Sequence, residues 1–485
     1  MSEINQLLLP AVRWDPALGY TGERAMIERA LELGVGGFIL FGGSVGDARE
    51  LTSELHRRSR IPLLVAADLE RGAGQQFAGA TGLPPLAALA SLGDPDALRR
   101  AARLTAREAR ELGVNWDYAP VCDLDILPEN PIVGTRALGG DPERVAALAA
   151  DWIDACQSES VLACAKHFPG HGRTTGDSHM ELPVVRASAQ ELLATDLVPF
   201  RAAVDAGVAS IMTAHVAYPA LDPSGAPATL SREIIGGLLR RDMRYDGLIV
   251  SDALIMEGAL VGQGEAEAGI RALRAGCDLL LYPADLDAIA RALEQALRDG
   301  VLESERIFHS LRRRAKWAQW GGLVAPSPPA PPLVAEPGWA DDLAQRCIRV
   351  VRGAPARVTS PLDVIVVDDD VGGPYPAPSR DPFFAALGAA GWEVRRVDKP
   401  AEDGRRSTIL ALFGDIRSWK GRPGYSAHSR ALVERAGQER GDVVVLQFGH
   451  PRLSAEIPRA RTVVCAWGGE ATMQRAAAAW LLRGP

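Results

Sequence analysis

Short apolar runs recur along the chain, each followed by turn residues and then by a stretch with helical spacing. The runs at Leu7–Pro10, Gly37–Phe41, Pro62–Ala67, Val114–Ala119, Leu162–His167, Ser210–His215, Leu248–Asp252 and Asp278–Tyr282 read as strands. Parallel strands need a crossover between them, and a helix is the usual one, so the alternation predicts an α/β fold. Eight such units are the number that closes a (β/α)8 barrel. The expected architecture is therefore a TIM-type barrel over residues 1–320.

Beyond the barrel, GGLVAPSPPAPPLVAEPG is too rich in proline for a helix interior or a central strand, and residues 321–340 read as a linker. Strand-like runs at Asp363–Val367, Trp392–Val397, Thr408–Phe413, Val443–Phe448 and Thr462–Ala466, with a final Ala-rich helix from Glu470, predict a smaller C-terminal α/β sandwich domain over residues 341–485. With 485 residues, 47% of them hydrophobic, the chain can fill two cores.

A net charge of −8 gives no electrostatic footprint for nucleic acid, and no basic cluster is interleaved with aromatics. Arg312, Arg313 and Arg314 read as the solvated face of a helix. The opening MSEINQLLLPAVRW lacks a basic n-region followed by a long apolar core, and no run stays apolar for the ~18 residues of a membrane span. No membrane partner and a cytoplasmic location are expected, while oligomeric state leaves no signature. The six cysteines are scattered without a C-x-x-C pair, as buried reduced thiols would be. Gly42-Gly43-Ser44-Val45-Gly46 follows a strand but lacks the G-x-G-x-x-G order of a dinucleotide site.

Polar residues fall at the ends of the barrel runs: Asp68 after LLVAA, Lys166 and His167 after LACA, His215 after SIMTA, Asp252 after LIVS. Barrel active sites are built at the C-terminal ends of the strands, so these side chains should converge on one mouth. The densest polar segment runs from Lys166 through His171 and Arg173 to Asp177 and His179. Its three histidines lie among Lys166 and Arg173 with no helical H-x-x-x-H pair, so a metal is not expected there. His171 is either a binding residue or a local hydrogen-bonder. Asp177 lies two residues from His179, where a carboxylate can accept the imidazole N–H and raise the basicity of the other nitrogen. Asp252 is either a nucleophile at the barrel mouth or an N-cap for the stretch from Ala253.

KHFPGHG followed by D-x-H, together with SD-x-L-x-M, resembles the hallmarks of glycoside hydrolase family 3, in its β-N-acetylglucosaminidase branch. The resemblance spans the barrel and implies catalysis without a cofactor on a small carbohydrate substrate, a β-N-acetylglucosaminide. It implies Asp252 as nucleophile and His179 with Asp177 as acid/base. Lys166 and His167 match the pair that binds sugar hydroxyls, Arg136 the arginine of N-P-x-x-G-x-R, and Asp68 the carboxylate that grips the far hydroxyls. His215 aligns with a histidine near the pocket, either binding or structural. The chain departs from the family pattern at Asp68-Leu69-Glu70-Arg71-Gly72-Ala73-Gly74 and at Gly42-Gly43-Ser44. Two other functions stand beside the retaining hydrolase: a phosphorylase, because a histidine acid/base adds no negative charge where phosphate would arrive, and a non-catalytic sugar-binding protein on the same scaffold.

Overall fold

The first strand is split by Pro10, and its two halves close the barrel. In the computed structural model, which describes residues 2–260, 262–322, 333–355, 357–370, 377–399, 405–439 and 443–484, β1 comprises Leu8–Leu9 and Ala11–Arg13. Proline has no N–H for the ladder, which accounts for the interruption. The strands that follow are β2 (Gly37–Phe41), β3 (Leu64–Ala67), β4 (Trp116–Asp117), β5 (Leu162–Phe168), β6 (Ser210–Thr213), β7 (Leu248–Ser251) and β8 (Leu280–Leu281). Each pairs in parallel with the next, the step from β7 to β8 being the Val250–Leu279 bridge. The first half of β1 pairs in parallel with β8 and the second half with β2. The chain forms the predicted (β/α)8 barrel, with helices such as Val45–Arg58, Pro95–Glu111 and Pro142–Gln157 between strands.

Gly42-Gly43-Ser44 leads into one of these helices. Ser44 accepts from Asp47 N at 3.1 Å while the Asp47 carboxylate accepts from Ser44 N at 3.3 Å, a reciprocal capping box at the start of Val45–Arg58.

The basic run on the helix Ser304–Trp320 is not wholly solvated, which corrects the expectation for Arg314. Ile307, Ser310, Arg314 and Ala318 fall at helical spacing on the buried face, and Arg314 donates to the Pro62 carbonyl at 2.8 Å. Burial pushes its guanidinium down to about 10. Arg312 stays exposed.

By contact density the chain divides into two units. Met1–Thr81, Pro95–Ile126 and Leu138–Ala335 form one, and Gly82–Asp94, Leu127–Ala137 and Glu336–Pro485 form the other. Two stretches inside residues 1–320 thus group with the C-terminal residues. Of the predicted linker, residues 323–332 lie outside the described residues, and the helix Pro337–Cys347 begins before its end at 340.

The second unit is built on β9 (Arg349–Arg352), β10 (Leu362–Asp368), β11 (Val394–Val397), β12 (Ser407–Phe413), β13 (Val444–Phe448) and β14 (Thr462–Cys465), in the spatial order β9-β14-β13-β12-β10-β11. Only β9 is antiparallel to its neighbour. Alternate residues serve opposite faces, as the two-residue period of a strand requires. Val364, Ile409, Ala411 and Leu446 pack with Phe383, Leu387 and Ala477 from helices on one side. Ile365, Leu410, Leu412 and Val445 pack with Val433 and Ala436 on the other. Both faces are covered, so these strands read as continuous apolar runs.

Candidate active site

All the strand-end residues singled out in the barrel sequence lie at the C-terminal ends of their strands, and several touch. Lys166, near the end of β5, is buried, with Nζ 2.6 Å from Asp68 Oδ1 and 2.7 Å from Glu70 Oε1. Asp68 and Glu70 follow β3, so this ion triad ties together the ends of the two strands that flank β4. A buried ammonium needs such partners, because desolvation of an unpaired charge costs several kcal/mol on the order-of-magnitude scale for ions in proteins.

His167 is held from another direction. Its Nδ1 lies 2.6 Å from Asp123 Oδ2, and Asp123 Oδ1 accepts from the backbone N–H of His167 at 3.1 Å and of His171 at 2.6 Å. Burial works against the Asp123 charge, but the two histidines and these hydrogen bonds hold its carboxyl below the ordinary value. The contact with the carboxylate commits Nδ1 and fixes the orientation of the ring.

The glycine-rich loop after β5 is fastened at its base. At Gly172 a Cβ would stand 2.1 Å from the Leu124 carbonyl oxygen, so only glycine permits this approach. His171 uses both ring nitrogens inside the loop, Nδ1 with Thr174 Oγ1 at 2.8 Å and Nε2 with Ser178 Oγ at 3.0 Å. Burial pushes its imidazole down to about 4. Of its two readings, the local hydrogen-bonder describes these contacts. Beyond this anchor, Asp177 is buried and its Oδ1 lies 2.7 Å from His179 Nδ1, while also accepting the His179 backbone N–H at 3.0 Å. Asp177 thereby orients an imidazole that remains partly exposed.

Asp252 follows β7, and its Oδ1 accepts from Ala253 N at 2.7 Å. A turn comes next, and the following helix starts only at Glu257, so Asp252 does not cap it. Burial opposes its charge, yet the imidazoles of His167, His215 and His179 together hold its carboxyl below the ordinary value. The loop bearing the Asp177–His179 pair is tied to the same segment, because Gly258 N donates to the Ser178 carbonyl at 3.1 Å. His215 is buried and braces this region: Nε2 lies 3.1 Å from the Ala253 carbonyl and Nδ1 2.8 Å from Thr229 Oγ1, so both ring nitrogens are engaged within the protein. Burial lowers its imidazole as well.

Three acids in this constellation escaped the strand-end reading. Glu70 shares Lys166 with Asp68, and Asp123 holds His167, as described. Asp117 lies inside β4, fully buried, where Oδ1 accepts from Leu69 N at 3.3 Å and Oδ2 has no partner among the described residues. Burial pushes it up to about 8, against the opposing charge of Lys166. The strand-end pattern offered no polar residue after β4, and Asp123 comes after the intervening Tyr118-Ala119-Pro120-Val121-Cys122.

Arg136 is placed differently from the rest. It belongs to Leu127–Ala137, one of the stretches that groups with the second unit, and its backbone N–H donates to the Val133 carbonyl at 2.9 Å. Among the described residues, no group of three or more His, Cys, Asp and Glu side chains is arranged to hold a metal ion. No described helix is long and apolar enough to cross a membrane.

An ionised carboxylate on one strand end, an Asp–His pair on a loop tied to the same segment, and a charged cradle beside them mark the class as a barrel glycoside hydrolase. Residues 2–316 match the family model described as "Glycosyl hydrolase family 3 N terminal domain", and the chain belongs to that family. A "Beta-N-acetylglucosaminidase/beta-glucosidase" of Cellulomonas fimi is 34% identical over 479 residues, covering 90% of this chain and 84% of that protein. A "Beta-hexosaminidase" of Thiobacillus denitrificans is 40% identical over 257 residues, covering 51% of this chain and 71% of its own length. A solved family 3 β-N-acetylglucosaminidase from Paenibacillus sp. str. FPU-7 superposes with a TM-score of 0.86 at 28% identity, over 100% of this chain and 97% of that one.

Proposed function

We propose that the chain is a retaining β-N-acetylglucosaminidase that releases a terminal β-linked N-acetylglucosamine through a covalent intermediate on Asp252. The observation that carries this reading is the tie between the two halves of the machinery: the loop of Asp177 and His179 is hydrogen-bonded to the segment that follows Asp252. His179 and Asp252 are also near enough for the imidazole to favour the carboxylate's charged form. Asp252, kept ionised, attacks C1 as the glycosidic bond breaks, and the sugar is held as an aspartyl ester. His179 gives its proton to the departing oxygen. In the second half it takes a proton from water, whose oxygen attacks C1 and frees Asp252. Two displacements at one carbon return the starting configuration.

Lys166, His167, Asp68 and Arg136 hold the sugar hydroxyls in this reading, and contacts that tighten as positive charge develops at C1 lower the barrier. His215 acts by bracing the Asp252 loop. The names of the Cellulomonas fimi and Paenibacillus proteins support N-acetylglucosamine as the sugar. The six cysteines are buried and none forms a disulfide, which supports a reducing, cytoplasmic setting.

The test compares turnover of aryl N-acetylglucosaminide and aryl glucoside, each in phosphate and in a non-anionic buffer. The N-acetylglucosaminide should be preferred and free sugar released in both buffers. A sugar 1-phosphate product formed only in phosphate would make the chain a phosphorylase. Tight binding without turnover would make it a sugar-binding protein.

A further inference from the structure

Asp68 lies in the turn after β3, and the peptide groups on both sides of it are tied to the end of β4. The Ala67 carbonyl accepts from Tyr118 N at 3.0 Å, and Leu69 N donates to Asp117 Oδ1 at 3.3 Å. The first bond joins backbone to backbone and needs no particular side chain at 118. The second exists only because residue 117 carries an acceptor, and Asp117 is fully buried. Leu69 lies between Asp68 and Glu70, the two carboxylates that hold Lys166 Nζ at 2.6 and 2.7 Å. One buried carboxyl thus fastens the turn that carries both.

The charges around Asp117 decide which form of it can do this. Lys166 acts on it from β5, and Asp68 and Glu70 from the turn after β3. Cys164 on β5 and Cys156 on the helix Pro142–Gln157 are its other titratable neighbours, and burial pushes both thiols up, so neither adds charge near neutral pH. Lys166 already answers two carboxylates. A third anion would compete for its ammonium and repel the other two. Burial pushes Asp117 up to about 8, and a protonated carboxyl still accepts from Leu69 N through its carbonyl oxygen.

We infer that Asp117 is a positioning residue for the reaction: by holding the Leu69 N–H it sets where Asp68 meets the substrate. The inference rests on the reading above in which Asp68 holds sugar hydroxyls. Without this anchor the turn must be ordered anew each time substrate binds, and that ordering subtracts from affinity.

The test uses the full chain with Asp117→Ala, Asp117→Asn, Asp68→Ala and the double variant Asp117→Ala/Asp68→Ala, measuring KM and kcat for an aryl N-acetylglucosaminide across neutral and alkaline pH alongside Tm. Below the Asp117 titration, Asp117→Ala should raise KM roughly ten-fold, as the loss of a buried hydrogen bond brings, with a much smaller change in kcat. Asp117→Asn, which keeps an acceptor for Leu69 N, should return KM toward the wild-type value. Above about pH 8 the wild-type KM should climb as Asp117 ionises and competes for Lys166, and Asp117→Asn should lack that climb. The double variant should be no worse than Asp68→Ala alone, since the anchor then has nothing left to position. A lowered Tm with unchanged KM in Asp117→Ala, or an alkaline climb shared by Asp117→Asn, while Asp68→Ala raises KM, would overturn the positioning role alone. An unchanged KM in Asp68→Ala would overturn the binding role of Asp68 and the inference with it.

Discussion

His167 Nδ1 stands 2.6 Å from Asp123 Oδ2, and through its second oxygen Asp123 also receives the backbone of His167 and His171. One buried carboxylate therefore fixes both the His167 ring and the start of the glycine-rich loop. Asp123→Ala strips the imidazole of its partner and leaves two backbone N–H groups unsatisfied. Each buried donor left without its partner costs about 1–3 kcal/mol, and chemical denaturation should register a loss of several kcal/mol. A variant as stable as wild type would mean that His167 is held by something else.

Asp252→Asn keeps the side chain's volume and removes its charge, so the proposed nucleophile is lost while its surroundings stay packed. Turnover of an aryl N-acetylglucosaminide should fall by several orders of magnitude, as loss of a covalent nucleophile brings. A fall of less than ten-fold would exclude Asp252 as the attacking group.

Replacing His179 by alanine removes proton donation to the leaving oxygen, a contribution of roughly 10²–10⁴-fold. The loss should be largest for substrates with poor leaving groups and small for activated aryl glycosides in the first step. Azide attacks without needing a base, so it should restore the second step and leave a glycosyl azide of retained configuration. If the rate loss were independent of the leaving group, His179 would not be the acid. Asp177→Asn keeps the ring near its place but weakens its basicity, and should fall between wild type and His179→Ala.

Asp117 titrates near pH 8 in the folded chain, far above its unfolded value, because burial disfavours its charge. Between about pH 4 and pH 8 the folded state holds a proton that the unfolded state has released, so the contribution of this residue to stability falls as pH rises across that window. Asp117→Asn cannot ionise. Urea unfolding of the variant should show a flatter profile from pH 4 to pH 8, with its advantage over wild type growing toward the alkaline end. Parallel profiles for the two proteins would place the charge elsewhere.

Much of the barrel was readable because its strands repeat a local pattern. Gly37–Phe41 has the bounds read from its apolar run, and Leu162–Phe168 and Leu248–Ser251 differ from theirs by one residue at an end. Where a polar residue directly follows such a run, as Asp252 follows Ser251, its place at the mouth follows too. Asp117 was hidden because it sits inside a strand of two residues, and Asp123 because several residues of irregular chain separate it from that strand. Whether Asp252 caps the next helix also lay beyond pattern, since it turned on where that helix begins.

By itself the order of residues determined the alternation of strand and helix, the closure of eight units into a barrel, and the strand ends from which the mouth is built. Those follow from periodicity, which reports the side of its own element that a residue faces. Tertiary structure alone decided that Arg314 points inward, that Glu70 and Asp68 share Lys166, and that Leu127–Ala137 packs with the C-terminal unit. Each is a pairing between groups far apart in sequence, set by how loops return and which charges must be matched once water is excluded.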